Sequence, residues 1–262
     1  MQDLRDIGFF GRWRRKWALV GEHITPLNLP SSNPKNPLDA RPWERIGESL
    51  KALFYHAALK AKADRDGLVF RGFSLRLTDE VEKRARGRGK HCLDYLHRQI
   101  ADHLKRALKP AQGEYGWWHI VIEDDEKGRL HIHGNILFRP DDRKLVDCAL
   151  RGAGGNWKIK DARTGKMVPC PYQLDWSRGE PNYGWTGYKL KNTWKADPLW
   201  RRRMKRRPPT AVRGWTVSFD GHAVTCTKDV KDAAKVIHKQ AVADVNAFRE
   251  SHKSILIAGI IH

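Results

Sequence analysis

Apolar and polar residues alternate over 68–78, where Phe73, Leu75 and Leu77 flank Ser74 and Arg76. A period of two is that of a strand with one buried face. The spacing then changes: Leu93, Leu96, Ile100, Leu104 and Leu108 fall at three- and four-residue steps, which predicts an amphipathic helix over 91–108. Two more strand-like runs, 115–123 and 129–138, are separated by the short polar stretch 124–128, whose closing Gly128 suits a hairpin turn. Upstream, Ile46, Leu50, Leu53, Phe54, Ala57 and Ala58 recur at helical spacing and predict a helix over 43–66. Downstream the pattern predicts a helix over 141–150, an irregular strand over 167–176 and a helix over 183–194 weakened at its start by Gly184 and Gly187. A hairpin over 216–227 and a helix over 231–248 follow. The apolar tail 254–261 is too short to span a bilayer and reads as a docking strand. This order of elements predicts an α/β (α+β) sandwich: a mostly antiparallel sheet of about five strands backed by helices.

Punctuation divides the chain into an arm at 1–45, which mixes tryptophan and basic residues with a Pro- and Asn-rich stretch at 31–42, a core at 46–200, and a basic linker and extension at 201–262. With 40% hydrophobic residues, the 262-residue chain can bury a core. Charge narrows the partner class. Lys and Arg total 50 against 30 acidic residues, a formal charge of +20 that attracts a polyanion, nucleic acid first and ribosomes or anionic lipid second. Cys92, Cys148, Cys170 and Cys226 lack the paired spacing of a zinc ribbon or redox site and read as core thiols. No apolar run is long enough for a membrane span and the N-terminus lacks a secretory stretch, so a cytoplasmic protein without a membrane partner is expected.

His131 and His133 flank Ile132 in the second hairpin strand, so both imidazoles leave the same face one pleat apart, a spacing suited to chelating one cation. With 124–128 as the turn, Val121 is expected opposite His131 and His119 opposite His133, which brings Glu123 into diagonal reach on that face. Two nitrogens and a carboxylate with open positions suit Mg2+ or Mn2+, and such an ion would activate a phosphodiester as a Lewis acid. His119 competes with Glu123 as third ligand. Tyr188 is the candidate nucleophile, because Lys191 three residues later shares its helical face and a nearby cation favours the phenolate. Tyr183 competes with it.

The run FSLRLT at 73–78, then Glu123 with seven residues before His131-Ile-His133, then Tyr188-x-x-Lys191, resembles the three motifs of HUH replication initiators over roughly 68–195. Gly128 fits that pattern too. The resemblance implies that His131, His133 and Glu123 bind the divalent cation and that Tyr188 attacks the scissile phosphate of single-stranded DNA at an origin or nick site, with Lys191 assisting by charge. It implies a 5'-phosphotyrosine link and a free 3'-hydroxyl for a polymerase. A tyrosine after the histidines resembles the initiator and transposase order rather than that of conjugative relaxases. No nucleotide-binding glycine loop is present, so unwinding calls for a host helicase.

Aromatic rings stacking on bases while cations track phosphates would hold such a strand. Among 11 tryptophans, Trp117, Trp118, Trp185 and Trp194 lie nearest the motifs, with Trp117 and Trp185 the candidates for DNA contact. Arg201, Arg202, Arg203, Lys205, Arg206 and Arg207 form a run too charged for a core. A transposase would use the same metal site and tyrosine, while a non-catalytic basic nucleic-acid-binding protein would leave the histidines incidental.

Overall fold

The alternating run and the two runs flanking 124–128 become the three middle strands of one sheet in the computed structural model, which describes residues 18–20, 23–25, 42–108, 116–124, 128–182, 185 and 222–258. In chain order the elements are a short hairpin, β1 (Ala18–Val20) and β2 (His23–Thr25), followed by α1 (Glu48–Asp66), β3 (Val69–Arg76), α2 (Asp79–Arg86) and α3 (Cys92–Ala107). Then come β4 (Trp118–Asp124), β5 (Leu130–Phe138), α4 (Arg143–Ala153), a second short hairpin of β6 (Lys158–Lys160) and β7 (Met167–Pro169), β8 (Leu174–Trp176), β9 (Val224–Cys226) and α5 (Lys228–Ala258). The sheet runs β8-β3-β5-β4-β9 with every neighbour antiparallel. The expected α+β sandwich with a five-stranded antiparallel sheet is therefore what the chain adopts.

Helices cover both faces. On one, Phe73, Leu75, Trp118, Ile120, Ile122, Ile132 and Ile136 pack against Leu93, Leu96, Ile100 and Leu104 of α3 and Val146 and Leu150 of α4. On the other, Phe70 and Leu137 meet Phe54, Tyr55 and Leu59 of α1 and Val230 and Ala234 of α5. Every residue of β4 is buried, so His119, Glu123 and Asp124 are polar groups held inside the sheet. Beyond residue 200, β9 pairs with β4 and α5 adds side chains to the second core, so both belong to the same packed body. Among the described residues no helix is long and apolar enough to cross a membrane.

Several expectations need correction. The helix expected from residue 43 begins at Glu48, because Pro42 and Gly47 are extended and leave only a 3-10 turn at Trp43–Arg45 between them. The expected tail strand is instead helical through Ala258: no Pro or Gly interrupts α5 before Gly259, and an established helix gains one hydrogen bond per added residue. Cys148 is exposed rather than in the core, whereas burial pushes the Cys92 thiol up to about 11 and the Cys226 thiol up to about 12, so both stay protonated and unreactive. Helix α2 has no counterpart in the sequence reading. Thr78 caps it by accepting from the Val81 N–H. Most of the expected helix over 183–194, and residues 216–221 of the expected hairpin, lie outside the described residues.

Three histidines make stability depend on pH. Burial lowers the pKa of His97, stacked on Trp118 with ring centroids 4.5 Å apart, of His103, packed against Gly152, and of His238, wedged between Trp43 and Phe54. The unfolded chain then binds protons more readily than the folded one. Their contribution is complete above the ordinary value of 6.5 and is lost as pH falls through it toward the folded values. The melting temperature is expected to drop between about pH 7.5 and pH 5, above the range in which carboxylates titrate. A flat or rising profile by calorimetry in that window would contradict it.

Candidate metal centre

The hairpin pairs Glu123 with His131, Val121 with His133 and His119 with Asn135. The expected pairing of Val121 with His131 and His119 with His133 is thus two residues off, a shift that keeps every side chain on its expected face. Contacts from outside the hairpin accompany the difference. The Glu82 carboxylate of α2 accepts from the Leu130 N–H at 2.9 Å and from Arg86 Nε at 2.9 Å, while Arg86 also donates to the Asp124 carboxylate and to the Gly128 carbonyl. These bonds hold the ladder closed as far as the pair Asp124 and Leu130, with Gly128 just before it at φ 73°.

With that register three donor atoms meet. Nε2 of His131 lies 3.0 Å from Glu123 Oε1, Nε2 of His133 lies 2.6 Å from the same oxygen, and the two Nε2 atoms are 3.1 Å apart. Donors about 2.1 Å from one ion and at right angles around it stand about 3.0 Å from each other, so these separations match the edges of one octahedral face. Glu123 and His133 are buried and His131 is half-buried, which leaves the cluster open on the His131 side. Among the described residues it is the one group of three such side chains. The imidazoles are turned to serve it. His133 Nδ1 bonds the Ser74 hydroxyl at 2.7 Å, and His131 Nδ1 faces the Arg129 carbonyl at 3.4 Å, so each ring presents Nε2 inward. Two imidazoles and a carboxylate without a thiolate suit Mg2+ or Mn2+ better than structural zinc.

Ser74 sits across the β3–β5 ladder from His133 and orients its ring. Ser74→Ala is expected to weaken Mn2+ affinity by about 10–100-fold, the usual cost of losing a partner behind a ligand. Titration calorimetry of the variant measures it, and wild-type affinity would remove Ser74 from this role.

A second group of side chains borders the cluster. Trp185 stands edge-on to His133 with ring centroids 5.9 Å apart and donates its indole N–H to Asn135 Oδ1 at 3.1 Å. Its ring lies over Gly72, where any Cβ would collide with it. Asn135 in turn bonds His56 of α1 at 3.2 Å. The Trp185 backbone N–H donates to Asn182 Oδ1 at 3.0 Å, the bond an asparagine N-cap makes to the third residue beyond it.

The other expected residues divide clearly. Trp117 is half-buried under Lys62, six residues and about 20 Å along β4 from Glu123, so it does not join the cluster. Trp118 faces the opposite side of the sheet in the first core. His119 is buried against Tyr55 and opposite Asn135, four residues from Glu123, so it is absent from the cluster and Glu123 supplies the third atom. Tyr183, Tyr188, Lys191, Arg201, Arg202, Arg203, Lys205, Arg206 and Arg207 lie outside the described residues. Sequence reasoning gave no role to Ser74, Gly72, Asn135 or His56. A glycine and a serine inside a strand of alternating apolar residues were the available signals for the first two.

The fold and the cluster define an α+β protein with a site able to bind a divalent metal. Comparison with protein families, with curated proteins and with solved structures finds no match in any of the three.

Proposed function

We propose that this chain is a metal-dependent endonuclease that nicks and rejoins single-stranded DNA through Tyr188, in the manner of HUH replication initiators. The observation that carries the reading is the meeting of His131 Nε2, His133 Nε2 and Glu123 Oε1 on an antiparallel sheet. Those residues follow the FSLRLT run and precede Tyr188 and Lys191 in the order of the family's motifs. Trp185, packed against His133, adds support, because the three-residue link from it to Tyr188 spans at most about 11 Å. The formal charge of +20 supports a polyanionic substrate.

In this reading Glu123, His131 and His133 hold Mg2+ or Mn2+, which polarises the scissile phosphate when bound. The Tyr188 phenol gives up its proton and attacks phosphorus. An O–P bond to tyrosine forms, the P–O3' bond breaks, and the departing 3'-oxygen takes a proton to become the hydroxyl that a polymerase extends. The 5'-phosphotyrosine remains a diester, so attack by a later 3'-hydroxyl reverses the step and rejoins the strand. Lys191 favours the phenolate by charge. Arg201, Arg202, Arg203, Lys205, Arg206 and Arg207 track phosphates, Trp117 and Trp185 border the strand's path, and a host helicase opens the duplex. Residues 1–45 and the basic run after residue 200 flank the nuclease core.

Incubation with a library of single-stranded oligonucleotides and Mn2+ tests the proposal. A protein–DNA adduct that survives SDS is expected, abolished by chelation and by Tyr188→Phe. An adduct retained by Tyr188→Phe would move the nucleophile, with Tyr183 next in line. Salt-dependent DNA binding without any adduct would leave a basic nucleic-acid-binding protein. An HUH transposase would form the same adduct on transposon ends instead of an origin.

A further inference from the structure

The hairpin end of the sheet carries three guanidinium groups, and two are committed to carboxylates. Arg86 pairs with Glu82 and Asp124, and Arg129 pairs with Asp79 and Glu82. The third, Arg76, is exposed, and among the described residues its guanidinium makes neither an ion pair nor a hydrogen bond. Its position is specific. Arg76 lies directly opposite His131 in the β3–β5 ladder and two residues from Ser74, on the face that carries the cluster. Cross-strand neighbours have Cβ atoms about 5 Å apart, so the guanidinium is within a side chain's length of the donor atoms.

An unpaired cation beside a cation site is unfavourable on its own, since each charge weakens the hold of the other. It becomes favourable when an anion is shared between them. Resting on the nuclease reading, we infer that Arg76 is a substrate-contacting residue that donates N–H groups to a non-bridging oxygen of the phosphodiester held at the metal. The chemistry suits it. Attack by tyrosine raises the charge on the phosphoryl oxygens from one to two, and a metal held by Glu123 has a net charge of only one left to offset it. A planar guanidinium supplies the second charge and two directed donors, which a lysine supplies only as a point charge.

The test separates phosphate binding from both metal binding and nicking. The full chain, loaded with Mn2+, is mixed with a short oligothymidylate, and the protein-dependent paramagnetic broadening of its 31P signals is measured for wild type, Arg76→Gln and Arg76→Lys, with Glu123→Gln as background. Broadening is expected to fall about tenfold or more in Arg76→Gln and less in Arg76→Lys, while Mn2+ affinity stays equal or tightens because a like charge has been removed. Undiminished broadening in Arg76→Gln, no protein-dependent broadening in wild type, or loss of Mn2+ affinity in Arg76→Gln would each overturn the assignment. Wild-type broadening that depends on Arg76, without an SDS-stable adduct, would keep the phosphate site and remove the nicking reaction. An adduct formed at the wild-type rate by Arg76→Gln would keep the nicking and remove Arg76.

Discussion

Glu123→Gln is expected to weaken Mn2+ binding by more than about 100-fold, beyond the ~10–100-fold loss typical of residues that only support a ligand. The carboxylate is the sole anionic donor of the cluster, and its Oε1 lies against both Nε2 atoms. Glutamine keeps the shape but removes the charge, and it puts either a neutral carbonyl or an NH2 group where the oxygen was. Two neutral imidazoles remain. They retain affinity for Zn2+ better than for Mn2+ or Mg2+, which depend on hard oxygen donors. Titration calorimetry with the three ions measures both the loss and its selectivity, and a melting curve of the metal-free variant near that of the wild type checks that the fold is intact. Mn2+ affinity within about threefold of wild type, a change of less than 1 kcal/mol, would mean that the cluster is not the metal site.

Phe73→Ala is expected to destabilise the fold by about 3–5 kcal/mol, the usual cost of truncating a fully buried aromatic residue. Phe73 has no exposed surface, packs against Trp176 with ring centroids 5.9 Å apart, and its ring edge occupies the space where a Cβ at Gly134 would stand. Gly134 follows His133 directly, so this contact lies beside the cluster. Adding a side chain at Gly134 would press on the ring, and the two positions should therefore couple: Gly134→Ala is expected to destabilise wild type but to cost less in Phe73→Ala, where the ring is gone. Urea denaturation of the four proteins measures this. A loss below about 1.5 kcal/mol for Phe73→Ala, or additive effects, would show that the ring is not held as described.

The two histidines were legible as a pair because strand periodicity is local: whatever the partner strand, His131 and His133 leave one face together. The register was not. A hairpin turn of this composition closes acceptably in more than one pairing, and the observed one is fastened by Glu82 and Arg86, which belong to a helix that the apolar pattern leaves invisible because Ala85 is its one buried residue. Helices α3 and α4 were readable for the opposite reason, since each turns a continuous stripe of buried residues to the sheet. The long C-terminal helix shows where local reading misleads: an apolar tail looks like a strand when cut off from the helix that runs into it.

From its residues alone this chain determined the class of its sheet, its central hairpin and the face on which two imidazoles and a carboxylate stand, because all of these follow from spacings of a few residues. Only the tertiary structure decided that Glu123 rather than His119 completes the cluster, that Ser74 aims His133, that Trp185 lies over Gly72, and that Arg76 stands opposite His131 with no ion pair among the described residues. The reason is range. Those relations join side chains from separate strands and helices, up to 113 positions apart in the case of Gly72 and Trp185, and they depend on pairing register and packing space that no local periodicity encodes.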